Sequence, residues 1–437
     1  FSLAYNQHRY RYPVLGTRET VRGMTRDGIL GFYRKHYRPE QITLVAVGDF
    51  ATEDMHAQIE ASFGDWENPS SDGVQKRVVE PSQTDFRFQL LEEDVKETRV
   101  ALAWHIPDVS HDDIPAIDAL ATIMGHGDSS RLYNHLRQDQ EVVNDIYAYA
   151  YTPKDPGIFV VGAGVKEENL DEAYEKALIE VFRCRKGIDE SELEKAKVVM
   201  LSESAYLRET VQGHARKLGF YEVVAKGYRF EEAYRNAVAS LTIDDLARVA
   251  QTYLNLHFSV VVMAPEGGDG QFDESSAKSL AQKAFAQSND LGSLGVSVPE
   301  FPDLLTVAPY SGKLVEQSLD ILRAELDNGC TLLVRQEPTP IFALRAVALG
   351  GLRWENRATS GLSNLYASTW GSATENYTEE ALAKRTPLLG GGISTFTGRN
   401  TLGIRAEFIE EKAAEGLDLV CETILRSSFS EKLLHRE

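Results

Sequence analysis

The chain has little of what marks several common classes of protein. Its 437 residues include only three cysteines, Cys184, Cys330 and Cys421. They are too few and too far apart for a disulfide framework or a zinc ribbon, and are expected as buried thiols. No apolar run approaches the ~18 residues of a membrane helix, so no membrane span is expected. Positive charge is in deficit: 46 Lys and Arg face 66 Asp and Glu, a net charge of −20, with a pI near 5.0. A surface of that sign repels a phosphate backbone, which argues against a nucleic-acid partner and for solubility.

Catalytic signatures are missing too. None of the ten histidines stands in His-x-x-x-His or His-x-x-Glu-His, the spacings that place two imidazoles on one helix face for zinc. His105 with His111, and His126 with His135, read instead as strand-end, loop or helix-surface residues. There is no Gly-x-Ser-x-Gly and no glycine-rich loop followed by Lys-Ser or Lys-Thr. Gly390-Gly391-Gly392 precedes a strand-like Ile393–Thr397, the wrong order for anion capture at a helix N-terminus, and reads as a tight turn. Residue 1 is Phe and no signal peptide is visible, so the chain is expected to be processed or cut, and its compartment is not legible.

What is present is a repeat. Met24–Phe50 opens with Thr25 and Asp27, a hydroxyl and a carboxylate suited to capping a helix start. Ile29, Phe32 and Tyr33 follow at amphipathic spacing and are expected to bury one stripe. The β-branched run Ile42–Val47 then predicts a strand. Leu241–Met263 repeats the sentence with Thr242, Asp244, the stripe Leu246, Val249, Ala250 and Tyr253, and the strand-like Val260–Met263. The offset at the threonines is 242 − 25 = 217 residues, too long for a solenoid and indicative of duplicated domains.

Hydrophobic content of 43% suffices for real cores, and the length suits two to three domains. Alternating apolar residues predict strands at Phe86–Leu90, Val100–Trp104, Ile146–Tyr151 and Gly157–Val165. Helices are predicted at Asp112–Met124, Ser129–Arg137, Glu168–Arg183, and as one long helix near Asp189–Lys226. Asn68–Gly73 reads as a turn. Asn328-Gly329 marks a hairpin within Ala324–Arg335, followed by a strand at Phe342–Leu349 and a helix at Glu410–Leu425. The expected fold class is α+β, with repeated domains of mostly antiparallel sheet and helices packed on one face. Residues 1–75 read as the second half of one domain, 76–265 as a complete domain, 266–318 as a linker, and 319–437 as the first half of a third domain. The two half-domains are expected to pair within or between molecules.

Several motifs resemble those of one family. Tyr10-Arg11-Tyr12-Pro13-Val14-Leu15-Gly16, Phe32-Tyr33, Tyr37-Arg38-Pro39, Val47-Gly48-Asp49 and Phe63-Gly64-Asp65-Trp66 resemble the second half of the catalytic domain of insulinase/pitrilysin-type zinc metallopeptidases, the processing-peptidase-like group. Ser129-Ser130-Arg131-Leu132 with Leu136-Arg137 resembles the signature of that family's second domain, and Glu192–Lys197 its long helix. The resemblance implies a metallohydrolase fold whose two halves close around a chamber for peptides. It also implies zinc held by an inverted His-x-x-Glu-His and a distant Glu, with those ligands upstream of residue 1 and not in this chain. The implied partners are peptide substrates and the other half of the same protein or a partner subunit.

In the third unit the motif position reads Asn364-Leu365-Tyr366-Ala367-Ser368, with Asn, Ala and Ser where the family has His, Glu and His. This copy therefore offers no imidazole ligand and no base. By the same resemblance Ile393–Thr397 matches the substrate-edge strand. No catalytic or metal-binding residue is assigned to this chain, and its substrate-binding residues are not identified. A second reading makes the chain a non-catalytic scaffold or partner subunit of the same family.

Overall fold

The computed structural model describes residues 1–68, 78–267, 272–290, 313–318, 321–429 and 431–436. Most of the Asn68–Gly73 turn lies outside them. The chain divides into two compact units, one of residues 1–200 and 210–296, the other of 201–209 and 297–437.

The first unit begins with helices α1 (Arg18–Gly23), α2 (Arg26–His36) and α3 (Thr52–Phe63). Strands β1 (Arg87–Glu93) and β2 (Thr98–Ile106) follow, then α4 (Ile114–Gly125), a π-helical turn at Tyr133–Asp139, β3 (Asp145–Tyr151) and β4 (Gly157–Val165). Helices α5 (Leu170–Arg183), α6 (Glu190–Leu207, of which residues 201–207 count with the second unit), α7 (Val211–Val224), α8 (Phe230–Ser240) and α9 (Ile243–Tyr253) lead to β5 (Ser259–Pro265) and α10 (Glu274–Asp290). The sheet order is β1-β5-β2-β4-β3. Only the β1–β5 pair is parallel.

Alternation along β2 sends Leu102 and Trp104 to one face and Ala103 and His105 to the other. On the first face Trp104, fully buried, stacks on Phe258 at 4.7 Å and donates its indole N–H to the Asn255 carbonyl at 2.8 Å. Helices α4, α5, α9 and α10 build the layer around this sheet. On the other face the chain's first residues dock: Ala4 and Tyr5 are buried against Ile158 and Val160. The Tyr5 hydroxyl donates to the Pro156 carbonyl at 2.9 Å, and Arg87 donates to the Leu3 and Ala4 carbonyls.

The second unit holds β6 (Lys313–Ser318), β7 (Ile321–Glu325), β8 (Thr331–Arg335), β9 (Ile341–Leu349), α11 (Leu362–Thr369), α12 (Glu379–Leu388), β10 (Gly392–Thr397), β11 (Thr401–Ile409), α13 (Ala413–Leu425) and α14 (Glu431–Arg436). They form two separate antiparallel sheets, β6-β7-β8 and β10-β11-β9. Gly329 turns the β7–β8 hairpin at φ +86°, as Asn-Gly predicts. Phe408, Ile404 and Ala406 of β11 make the core with Leu419 and Val420 of α13. The glycine run before β10 is a tight turn. Gly390 has φ +64°, and a Cβ on Gly391 would lie 1.8 Å from the Glu407 carbonyl oxygen.

Antiparallel-rich sheets with helices agree with the expected α+β class, but several local expectations need correcting. Ile42–Val47 is not a strand, because no strand among the described residues pairs with it, and an extended run without a ladder has no sheet to join. The stripe of α2 is not buried: Ile29, Phe32 and Tyr33 are 60%, 62% and 52% exposed. The long helix breaks at residues 208–210, where Thr210 adopts extended backbone and accepts from the Gly213 N–H at 3.0 Å, capping α7 as a new helix. Within the expected linker, Glu274–Asp290 is helix α10, buried through Ala277, Ala281 and Ala284, a stripe of small residues that hydrophobic periodicity underweights. The residues 291–312 of that stretch lie outside the described ones. Of the cysteines only Cys184 is buried; Cys330 is exposed and Cys421 half-buried.

Candidate functional site

The motif position in the second unit falls on α11. Gly361 precedes the helix at φ +94°, a conformation that favours glycine. The Glu355 carboxylate reaches forward to accept from the Gly361 N–H at 2.7 Å and the Ser363 N–H at 2.8 Å. It thereby satisfies donors that a helix start leaves open, and the Ser363 side chain and these N–H groups hold its pKa below the usual carboxylate range. Along the helix Asn364 and Ser368 lie one turn apart and exposed, while Ala367 is buried.

Helix α11 sits beside β10, the edge strand of its sheet. The Thr395 hydroxyl of β10 donates to the Ala367 carbonyl, and Ser394 accepts from the Arg405 Nε at 2.7 Å. A helix is thus packed beside the sheet's edge strand, but the side chains at its motif positions are an amide, a methyl and a hydroxyl. The Ser368 hydroxyl is spent on the Leu365 carbonyl at 3.0 Å. That donor set does not fit zinc, which takes imidazole, thiolate or carboxylate ligands. Among the described residues no group of three or more His, Cys, Asp and Glu is placed to hold a metal ion.

In the first unit, the two sequence signatures meet each other. Arg131 is buried and bidentate on Glu192, at 2.7 Å from Nε and 2.6 Å from an Nη atom. Its other Nη lies 3.7 Å from the Cys184 Sγ. Lys195 donates to the Ser129 carbonyl at 2.7 Å. Burial alone would lower the Arg131 pKa, but the bonds to Glu192 outweigh it and the guanidinium stays charged. Burial pushes the Cys184 thiol up to about 11, so it is an unreactive packing group. These contacts pin the Ser129–Leu132 segment to α6. The opposite charges in the two motifs were the only sequence cue that they pair.

Three of the histidines are held by hydrogen bonds or ion pairs to other residues of the chain. His105 Nε2 lies 2.7 Å from the Ala4 carbonyl, and His111 Nδ1 accepts from the Asp113 N–H at 3.1 Å. His135 pairs with the Glu180 carboxylate at 3.2 Å, a bond that raises its pKa against the opposing effect of burial. Neither His105 with His111 nor His126 with His135 falls in a metal-holding group. Sequence reasoning passed over Glu80. It is buried and accepts the N–H groups of Asn6, Gln7 and His8 at 2.7, 2.8 and 2.7 Å. Burial pushes its pKa up, but the three N–H donors and the neighbouring His105 outweigh this and hold it low.

Comparison with known proteins places this geometry. Residues 23–200 match the family model for the peptidase M16 inactive domain. The zinc protease PqqE of Helicobacter pylori is 25% identical over 257 residues, 58% of this chain and 58% of its own length. A protease structure from Helicobacter pylori superposes with a TM-score of 0.56 at 25% identity, covering 60% of this chain and 65% of that one. The ferredoxin protease FusC, solved with Arabidopsis ferredoxin, has the same fold at 16% identity and a TM-score of 0.52. That match covers 97% of this chain and 49% of FusC. The chain spans less than two thirds of the length of these proteins. Residues 23–200 are thus similar to the peptidase M16 inactive domain, in a chain whose sequence contains no His-x-x-Glu-His. No helix of the described residues is long and apolar enough to cross a membrane.

Proposed function

We propose that this chain forms scaffold and chamber wall of a zinc-dependent metalloendopeptidase of the insulinase type, one that admits peptides or unfolded segments to a closed chamber. Its zinc is held by residues outside this sequence. The observation that carries the reading is the inactive-domain match over residues 23–200, joined to a motif helix that presents Asn364, Ala367 and Ser368 in place of ligands. On this reading 1–75 completes a catalytic-type domain, 76–265 is the second domain, and 319–437 opens a non-catalytic third one. The likeness to a ferredoxin protease supports protein segments as the substrate class. The test is zinc analysis of the whole protein containing this chain, with a peptide-cleavage assay run with and without chelator. Stoichiometric zinc and chelator-sensitive cleavage are expected of the whole protein and neither of this chain alone.

The Asn364–Ser368 segment also favours a second reading, a non-catalytic partner subunit of the same family. A whole protein that binds no zinc and cleaves nothing would establish it in place of the first.

A further inference from the structure

The interior of the first unit holds more charge than a domain core usually carries. Arg131, Glu180, Glu192 and Lys195 are each less than a tenth exposed, and all lie within that unit. Arg131 is bidentate on Glu192. Glu180 of α5 receives His135 at 3.2 Å and Arg183 at 3.2 Å on the same oxygen, Oε1. Its Oε2 is buried with no hydrogen-bond partner among the described residues. The Arg131 charge is spent on Glu192, so the buried Glu180 carboxylate is balanced by Arg183 and, when its ring is protonated, by His135. A buried charge that loses a partner costs free energy.

His135 rides on irregular backbone. It lies in the π-helical turn Tyr133–Asp139, a wide turn that is rare in proteins and concentrates at functional positions. Just beyond it Glu141 stands at φ +52°, the one non-glycine residue with positive φ among the described residues, a conformation that L side chains adopt at a cost. The turn is fastened by the buried Leu136, by the Val142 N–H on the Leu136 carbonyl at 3.0 Å, and by the His135–Glu180 pair. It leads into β3, the outer strand of its sheet. The other charged groups around the ring are Asp139 at the end of its own turn and Arg131 ahead of it. Asp145, at the head of β3, faces Arg99 at 4.0 Å.

We propose that the His135–Glu180 pair is a pH-operated latch on the segment 133–144: protonated His135 holds the turn to α5, and loss of that proton releases it, loosening the approach to β3 while the rest of the sheet stays paired. The imidazolium donates a charge-assisted bond to a buried carboxylate. The neutral ring keeps only an uncharged hydrogen bond and leaves Glu180 to Arg183. Because the bond to Glu180 raises the His135 pKa, the latch contributes fully below the ordinary histidine value of about 6.5 and is lost as pH rises through the raised folded value. Burial pushes the Glu180 pKa up, but His135, Arg183 and Arg131 outweigh it and hold it low, so Glu180 stays ionised through that window.

Hydrogen exchange on the full chain tests this between about pH 5.5 and about pH 9, a range that brackets the ordinary histidine pKa. It is read as protection factors, which divide out the intrinsic pH dependence of exchange. Protection at 133–144 is expected to fall by about fivefold as pH rises through the His135 titration, the size of one hydrogen bond, while β4 amides keep theirs. The midpoint should coincide with that of the imidazole NMR signal that disappears in His135→Gln. That variant places an uncharged amide beside Glu180, so protection of the segment should be low and level across the whole range. Level protection in wild type, a fall that persists in His135→Gln, a midpoint apart from the His135 titration, or β4 amides losing protection in step would each overturn the proposal, the last because release would then be global.

Discussion

Helix α9 buries Leu246, Val249 and Ala250 and hands the chain to β5, the second strand of a five-stranded sheet. Helix α2 carries the same threonine cap, with Thr25 accepting from the Gly28 N–H at 3.1 Å, and the same apolar spacing. Yet it buries no residue, and the run after it joins no ladder. The difference lies outside both segments. Beneath α9 stands a sheet whose β2 edge receives β5 and whose helix α4 supplies Asp113, which accepts from Arg248 at 2.7 Å and from the Tyr253 hydroxyl at 2.8 Å. Beneath α2 the described residues place no sheet. Amphipathic spacing thus states what a helix can bury and not whether anything arrives to cover it; helical stability in proteins comes mostly from such packing.

The comparison breaks most sharply at the stripe itself. Leu246→Ala should destabilise the first unit by about 2–5 kcal/mol, the range for emptying a packed leucine site, read as lost exchange protection of β2 and β4 amides under urea. The equivalent truncation in α2, Phe32→Ala, should leave that protection within about 0.5 kcal/mol, as for an exposed position.

Asp113 sets the next scale. Burial raises its pKa, but the bonds from Arg248 and Tyr253 outweigh this and hold it below the ordinary carboxylate range. A depressed folded-state value contributes stability above the unfolded pKa of about 3.9, lost as pH falls through the folded value. Asp113→Ala should cost about 1–3 kcal/mol at neutral pH and flatten the acid limb of the first unit's unfolding profile. The α2 copy has no such anchor and should show no matching acid transition.

Capping gives the smaller effect. Thr242→Ala removes a capping box with Asp245 and should cost about 1 kcal/mol of first-unit stability. Thr25→Ala removes a like contact, but should only speed exchange in the first turn of α2 and leave the unit's unfolding unmoved. A shift of equal size at both sites would show that α2 is packed in solution after all.

Much of the fold could be read along the chain. Gly157–Val165 is a strand at the expected bounds, and the Asn328-Gly329 hairpin and the glycine turn before β10 stand as their residues imply. In each case the cause is local, in alternation or in a backbone conformation that only certain residues adopt. The candidate site was legible in a different sense: the residues at 364, 367 and 368 lack ligand chemistry wherever they are placed. What escaped were contacts between remote segments. Tyr5, Glu80 and His105 fasten the lead-in across the sheet face, and Arg131 finds Glu192 across 61 residues of sequence. Helix α10 was hidden because its buried face is alanine, which a hydrophobic pattern barely registers.

By itself, then, the sequence determined the vocabulary of this protein: capped helices, alternating strands, a 217-residue repeat and a motif emptied of its ligands. All are properties of a side chain and its near neighbours along the chain. Only the tertiary structure decided which apolar stripes are covered, which strand-like run enters a ladder and which charges are paired in the interior. Burial and strand pairing each need a second surface, and that surface is supplied by residues far away along the chain, as β1 and β2 supply it to β5.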